Sequence, residues 1–248
     1  MKQVKGVAAI VPAYNEGRTV GLVVRVLQQS PDIREVIVVD DGSEDNTYAV
    51  AEAAHAKVIK VEPNQGKGGA MALGVSLTDA EVLFFVDADF INLTPEHIES
   101  VLTPILRGEY DMVTGVVDRG EGINKIMESV DDPFAGIRAL KRDIWDRTPK
   151  EFKDGYLVDS GLHITAKRAD KSIKNVVLHN LKQVTKTKKH GFTKGVLMYI
   201  KMWGEIGVKA FMFLWIKWKA CLPTRSARLD SARLAKALTR RVGRVLHD

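Results

Sequence analysis

Four short apolar runs in the first half of the sequence each lead into residues that could hold a nucleotide, a phosphate or a metal ion. The polar stretches are Pro12-Ala13-Tyr14-Asn15-Glu16, Asp40-Asp41-Gly42-Ser43, Asn64 to Gly69 and Asp87-Ala88-Asp89. Each one alone is also ordinary turn chemistry, because Asp, Asn and Gly are common in turns and helix caps. Their recurrence after four consecutive apolar runs favours a binding site assembled from all four.

The carboxylates of Asp87 and Asp89 are the candidates for metal binding. They stand one residue apart, directly after an apolar run. Hard divalent cations such as Mg²⁺ and Mn²⁺ bind carboxylate oxygens, and they commonly share them with substrate phosphates. The alternative interpretation of the same pair is a turn or a helix cap.

The stretch Gly66-Lys67-Gly68-Gly69 is typical of a loop that approaches a phosphate closely. Glycines expose backbone N–H groups, and Lys67 adds a positive charge. The sequence has no P-loop motif, and no Gly-x-Gly-x-x-Gly follows the first apolar run, which disfavours a dinucleotide dehydrogenase. Asp41 could accept hydrogen bonds from a base or a ribose, or it could cap a helix.

The order of the predicted elements indicates an α/β fold. We predict strands at 6–11, 35–39, 57–61, 82–86 and 111–117, and helices at 18–30, 45–54 and 69–77 with another opening at Thr94. This alternation predicts a mostly parallel, doubly wound sheet with helices on both faces, whose ligands lie at the carboxyl ends of the strands. Residues 120–155 are predicted to be irregular, before a helix at 159–169 and a last strand at 174–178.

Charge is divided unevenly along the chain. Residues 1–118 contain 9 Lys and Arg against 18 Asp and Glu, whereas residues 119–248 contain 28 against 13. This asymmetry favours an anionic partner for the second half, such as a membrane surface, a phosphorylated substrate or a nucleic acid. A solvated lysine-rich surface would give the same pattern.

Residues 191–248 are predicted to form basic amphipathic helices. The apolar, aromatic stretch 196–222 is interrupted by charges, so it does not reach the ~20 apolar residues that span a bilayer. The pattern favours helices lying on an anionic membrane surface, and packing on the sheet or in a homo-oligomer is the alternative. The single cysteine, Cys221, and the absence of a signal-peptide pattern predict a cytoplasmic protein, peripheral on the inner face of the cell membrane.

Together the motifs resemble the signature of family 2 glycosyltransferases with the GT-A fold, over roughly residues 5–190. The resemblance implies a GT-A-type, Rossmann-like sheet, a nucleotide-diphosphate sugar donor with UDP favoured over GDP, and Mg²⁺ or Mn²⁺ at Asp87 and Asp89. It assigns donor contacts to Pro12, Ala13, Tyr14, Asn15, Glu16, Asp41, Gly66, Lys67, Asp87, Ala88 and Asp89.

The second half is similar to polyprenyl-phosphate (dolichyl-phosphate) sugar synthases between Pro133 and Arg142. By this resemblance Arg119 and Arg138 are candidates for binding an acceptor phosphate. In family members with hydroxyl acceptors, an acid at the position of Asp159 is the general base of an inverting displacement. Asp159 could instead cap the helix that it opens. The third metal ligand stays open between His179 and Gln183.

We therefore predict a donor-binding half at 1–118, an acceptor half at 119–190 and a separate C-terminal region at 191–248. The predicted activity is metal-dependent, inverting transfer of a sugar to a lipid-linked, membrane-associated or phosphorylated acceptor. One alternative is a transferase like the glucosyl-phosphoglycerate synthases, which share part of the motif pattern, are soluble and retain configuration. The other is a non-enzymatic membrane-binding or nucleic-acid-binding protein, and acidic strand ends disfavour nucleic acid because they repel its phosphates.

Overall fold

The structure is a computed structural model that describes residues 6–118, 135–153, 155 and 157–183. All of these residues lie within one compact unit, Met1–Lys189. Arg119 and the predicted amphipathic region 191–248 lie outside the described residues.

Seven strands of the described residues form one sheet, in the order β3-β2-β1-β4-β6-β5-β7. Only β6 is antiparallel to its neighbours within this sheet, β4 and β5, and the other paired strands run parallel. The strands are β1 (Val7–Ala13), β2 (Ile33–Asp40), β3 (Lys57–Lys60), β4 (Val82–Val86), β5 (Met112–Val117), β6 (Ile137–Lys141) and β7 (Ile173–Leu178).

Helices connect most of the described strands. A threonine cap and a proline begin the helix at 95–106: the hydroxyl of Thr94 accepts a hydrogen bond from the backbone of His97 at 3.4 Å. The helices are α1 (Val20–Leu27), α2 (Thr47–Ala53), α3 (Gly66–Ser76), α4 (Pro95–Leu106), α5 (Arg142–Arg147) and α6 (Leu157–Arg168), with a 3₁₀ turn at Lys150–Phe152.

Side chains alternate between two cores on opposite faces of the sheet. Val7, Ala9 and Val11 of β1 pack with α1, α2 and α4, whereas Ile10 packs with α3, α5 and α6. Because successive residues of a strand point to opposite faces, a strand that is apolar throughout must be covered on both. The predicted α/β sheet with helices on both faces is therefore confirmed.

The prediction that residues 120–155 are irregular is wrong for residues 137–147, which form β6 and α5. Arg138 lies inside β6 and is 1% exposed. A buried arginine is stable only with a partner, and the partner of Arg138 comes from a distant element. Because the local sequence does not show that partner, a run that contains an arginine does not predict a buried strand. Among the described residues, no helix is long and apolar enough to cross a membrane.

Asp111 ties together the ends of three strands at the edge opposite the polar stretches. It accepts hydrogen bonds from Lys141 Nζ at 2.8 Å and from the backbone N and Oγ of Ser172, both at 3.0 Å. Partial burial would raise the pKa of Asp111, but the hydrogen bonds from Lys141 and Ser172 outweigh it and hold the pKa to about 2. The folded state therefore stabilises the ionised form of Asp111.

We expect Asp111→Asn to lower the free energy of unfolding at pH 7 by about 1.5 kcal/mol, or ~3–6 °C in Tm. Because the folded pKa lies below the ordinary value of 3.8, this contribution is complete above pH 4 and is lost as the pH falls towards 2. Calorimetry of variant and wild type from pH 5 to pH 2 should show the Tm difference shrinking, with the exposed Asp32→Asn as control. A difference that stays constant over this range would contradict the prediction.

Candidate functional site

The loop after β1 and the loop after β2 are joined by hydrogen bonds. The backbone N–H of Asn15 donates to Ser43 Oγ at 2.9 Å, and Asn15 Oδ1 accepts from the backbone of Glu44 at 2.9 Å. The N–H of Glu16 donates to Thr47 Oγ1 at 2.8 Å. Asn15 has a φ of 56°, a left-handed conformation that asparagine tolerates. The first polar stretch, which is predicted to contact the donor, is thus a loop fixed by the side chains of Ser43 and of Thr47 at the start of α2.

The residues of the first polar stretch differ in their exposure. Tyr14 is 40% exposed, whereas Ala13 is buried at the end of β1. Pro12, Asn15 and Glu16 are partly buried. The open ring of Tyr14 is therefore the part of this stretch most available to a ligand.

Asp41 holds the glycine stretch in place. Its Oδ1 accepts from the backbone N–H of Gln65 at 2.7 Å, and its carbonyl oxygen accepts from Asn64 Nδ2 at 2.7 Å. Burial raises the pKa of Asp41, against the backbone hydrogen bonds from Gln65 and Gly66 that lower it. The neighbouring Asp40 is fully buried and accepts from the N–H of Ser43. A contact between Asp41 and a base stays a prediction.

The glycine stretch forms the start of α3. Gly66 has a φ of 76°, which glycine adopts without strain, and it begins the helix. The N–H of Gly68 already donates to the carbonyl oxygen of Gly155 at 3.1 Å. The first turn of α3 therefore fixes the position from which the Lys67 side chain extends.

Lys67 lies between two carboxylates from different elements. Its Nζ contacts Asp87 Oδ1 at 2.7 Å and Asp159 Oδ2 at 2.9 Å. Arg138 Nη1 donates to Asp159 Oδ1 at 3.1 Å and to the carbonyl oxygen of Asp159 at 2.9 Å. Four predicted site residues thus form one connected chain of ion pairs. Their side chains are 15% (Lys67), 27% (Asp87), 8% (Asp159) and 1% (Arg138) exposed.

The low exposure of these four side chains strengthens the electrostatic interactions between them. Burial raises the pKa of Asp87 to about 6, with Lys67 lowering it and Asp89 and Asp159 adding repulsion. Burial alone would lower the pKa of Lys67, but the nearby carboxylates of Asp159 and Asp87 raise it overall. Lys67 therefore stays charged and supplies the positive charge that Asp87 requires.

Asp159 lies in the first turn of α6, which begins at Leu157, so it does not stand before the helix as a cap would. Both of its carboxylate oxygens contact cations. Its predicted role as a general base stays a prediction. Arg138 directs its Nη1 to Asp159, and its predicted contact with an acceptor phosphate stays a prediction, as does that of Arg119.

Gly136 leaves a space that the side chains of Asp87 and Gln183 occupy. A Cβ at Gly136 would lie 2.6 Å from Asp87 Oδ2 and 2.7 Å from Gln183 Nε2. The backbone N–H of Asp87 donates to the carbonyl oxygen of Gly136 at 2.8 Å, which extends the pairing of β4 with β6 by one residue and brings Gly136 against Asp87. Sequence reasoning missed Gly136, because its function depends on a strand pairing that the local sequence does not reveal.

The donor set fits a divalent cation shared with a substrate. Asp87 and Asp89 flank the buried Ala88 at the end of β4, and Gln183 Nε2 lies 3.4 Å from Asp89 Oδ1. Within the described ranges no three His, Cys, Asp or Glu side chains cluster as a metal site. Mg²⁺ commonly uses one or two carboxylates and takes its other ligands from phosphates and water.

Of the two candidates for a third ligand, Gln183 is the one that lies beside Asp89. The ring of His179 is engaged elsewhere, with its Nδ1 2.6 Å from Asp118 Oδ2. Phe90, the residue after Asp89, pairs with Gln183 as an isolated β-bridge. This bridge brings Gln183, the last residue that the structure describes, next to Asp89.

Comparison with known proteins identifies relatives that match most of the described region. A family model described as glycosyl transferase family 2 matches residues 8–167. Glucosyl-3-phosphoglycerate synthase of Mycolicibacterium smegmatis is 29% identical over 194 residues, which cover 63% of this chain and 62% of that enzyme. The chain therefore spans less than two thirds of that relative's length.

Solved structures agree with the sequence relatives. The crystal structure of glucosyl-3-phosphoglycerate synthase from Mycobacterium tuberculosis with Mn²⁺, uridine diphosphate and glucosyl-3-phosphoglycerate has a TM-score of 0.63 at 26% identity, covering 73% of this chain and 72% of that chain. The same enzyme with Mn²⁺, UDP-glucose and glycerol 3-phosphate has a TM-score of 0.62 at 27% identity, with the same coverage.

We expect Gly136→Ala to weaken binding of Mn²⁺ by at least ~10-fold, because the added methyl group displaces Asp87. Calorimetric titration measures the affinity. The matched control is Gly21→Ala, whose Cβ would meet Val50 Cγ1 at 2.8 Å between α1 and α2. The control should lower the Tm and leave the affinity unchanged. Equal affinities for Gly136→Ala and wild type would show that Gly136 does not shape the site.

Proposed function

The chain belongs to glycosyltransferase family 2, and on this premise we propose that it transfers a sugar from a UDP-sugar to a small phosphorylated acceptor, with Mg²⁺ or Mn²⁺ at Asp87 and Asp89. One observation carries the proposal: Lys67, from a glycine-rich helix start, meets the carboxylates of Asp87 and Asp159 at the carboxyl end of β4, whose parallel neighbour β1 leads into the fixed loop. Ligands of open α/β sheets bind at this edge.

The donor's diphosphate is the group that this edge suits best. Asp87 and Asp89 are negatively charged and would repel a diphosphate without a cation between them. A bound Mg²⁺ or Mn²⁺ would supply electrostatic stabilisation of the diphosphate as it leaves the sugar. The Mycobacterium tuberculosis enzyme, similar in fold and sequence, has been crystallised with Mn²⁺ and uridine diphosphate, which supports the same donor class for this chain.

The chain's own residues would orient the donor. The loop from Pro12 to Glu16 is fixed by Ser43 and Thr47, so a nucleoside bound there would meet a preformed surface. Lys67 extends from the first turn of α3 towards the carboxylates and is the cation available to a phosphate oxygen. These contacts would hold the sugar's anomeric carbon at a defined distance from the acceptor.

A small phosphorylated acceptor is favoured by the relatives. The similar enzyme has been crystallised with phosphoglyceric acid and with glycerol 3-phosphate. The excess of Lys and Arg in residues 119–248 is compatible with an anionic acceptor of this kind.

A lipid-linked acceptor is the second candidate, and the sequence of residues 191–248 favours it. That region combines an apolar, aromatic stretch with an arginine-rich one, which is the composition of helices that lie on anionic membranes. A polyprenyl phosphate is already ionised, so its transfer needs no general base. The prediction that Asp159 is such a base applies only to a hydroxyl acceptor.

The experiment for this function combines UDP-sugars carrying a radiolabel with 3-phosphoglycerate, glycerol 3-phosphate and a polyprenyl phosphate. We expect metal-dependent transfer of label to a small, water-soluble phosphorylated product. Label that partitions into organic solvent would support the lipid-linked acceptor instead. No transfer from any UDP-sugar in Mn²⁺ would contradict the proposed function.

We expect Asp89→Asn to weaken binding of UDP in Mn²⁺ by at least ~10-fold, or about 1.4 kcal/mol, because the cation loses a charged ligand. Asp79→Asn is the control, since Asp79 is 75% exposed and pairs with Arg34. In EDTA, wild type and Asp89→Asn should bind UDP equally weakly. Wild-type affinity that is the same in EDTA and in Mn²⁺ would rule out the metal.

A further inference from the structure

Lys67 holds one of the two carboxylate oxygens through which Asp87 could bind a metal ion. Its Nζ is 2.7 Å from Asp87 Oδ1, the distance of a direct ion pair. A divalent cation bound to the same carboxylate would lie close to the ammonium group, and like charges repel more strongly between side chains that are largely shielded from solvent. Lys67 and the metal therefore compete for Asp87.

The position of Lys67 is fixed from its other side by a buried ion pair. Arg138 belongs to β6, between β4 and β5, and is 1% exposed. It holds Asp159 at both the carboxylate and the backbone carbonyl, which leaves Oδ2 to contact Lys67 at 2.9 Å. Arg138 thus acts on Lys67 through Asp159 and never needs to contact a substrate.

We propose that Lys67 is a resident counter-ion of Asp87 in the free protein, positioned by the Arg138–Asp159 pair, and that it turns to the donor's diphosphate when the metal binds. This inference rests on the proposed function and adds a role for three residues within it. Asp159 and Arg138 are then positioning residues, and Lys67 is the group that changes partner.

The exchange makes binding of metal and diphosphate cooperative. A metal ion alone must take Asp87 from Lys67 and leaves the ammonium with one carboxylate fewer. A diphosphate offers Lys67 a new anionic partner and gives the metal further oxygen ligands. Each ligand therefore lowers the cost of binding the other, and by linkage the effect is reciprocal.

We expect removal of Lys67 and removal of the Asp159 charge to change the affinity for Mn²⁺ without nucleotide in opposite directions. Lys67→Met removes the competitor, so Mn²⁺ without nucleotide should bind at least ~5-fold more tightly. Asp159→Asn keeps the size of the side chain but leaves more positive charge around Asp87, so Mn²⁺ alone should bind more weakly. A merely structural defect would not move the two affinities in opposite directions.

The test is a titration of Mn²⁺ followed by electron paramagnetic resonance, which measures free Mn²⁺ directly, with and without UDP. In wild type, UDP should tighten Mn²⁺ binding by ~10–100-fold, and in Lys67→Met this coupling should shrink at least ~5-fold. Lys60→Met is the matched control, because Lys60 pairs with Glu62 at 2.7 Å on the surface. It should behave as wild type.

The outcomes separate this inference from the proposed function. In one outcome, wild type binds UDP with Mn²⁺, but Lys67→Met and wild type have equal affinities for Mn²⁺ without UDP. The counter-ion role of Lys67 is then overturned, and the proposed function stands. If Asp159→Asn shifts Mn²⁺ binding in the same direction as Lys67→Met, the positioning role is overturned. If wild type binds no UDP with Mn²⁺, the proposed function itself fails.

Discussion

The site depends on one interaction, the contact of Lys67 with both Asp87 and Asp159. Carboxylates gathered at the edge of a sheet repel one another, and burial makes that repulsion stronger because little water screens it. Lys67 contacts the carboxylates of Asp87 and Asp159 at 2.7 and 2.9 Å, and Arg138 forms a second ion pair with Asp159. These two cations therefore offset the repulsion between Asp87 and Asp159.

The sheet places these charges by its strand order. β4 carries Asp87 at its carboxyl end, and β6 runs antiparallel beside it, so that Gly136 reaches Asp87 and Arg138 lies one strand away from it. α3 brings Lys67 to the same edge, and α6 brings Asp159. The single antiparallel strand among the described ones is therefore the element that completes a site otherwise built from parallel strands.

The positions of Lys67, Asp87 and Asp89 could be predicted from sequence because the pattern that marks each of them is local. Asp87 and Asp89 directly follow an apolar strand, and the glycines around Lys67 begin a helix. The Arg138–Asp159 pair could not be predicted as a pair, because it joins β6 to α6 through burial that no local pattern encodes. Arg138 is also the reason why the sequence does not predict β6. A charged residue inside a short run indicates irregular structure as long as its buried partner is unknown.

Anomalous scattering from Mn²⁺ in crystals grown with UDP would show directly whether Lys67 changes partner when the metal binds. We expect a Mn²⁺ peak at coordination distance, ~2.0–2.3 Å, from carboxylate oxygens of both Asp87 and Asp89. We also expect Lys67 Nζ to have left Asp87 Oδ1 and to contact a diphosphate oxygen. A peak bound by other residues, or a lysine still 2.7 Å from Asp87 Oδ1 beside the metal, would overturn the exchange.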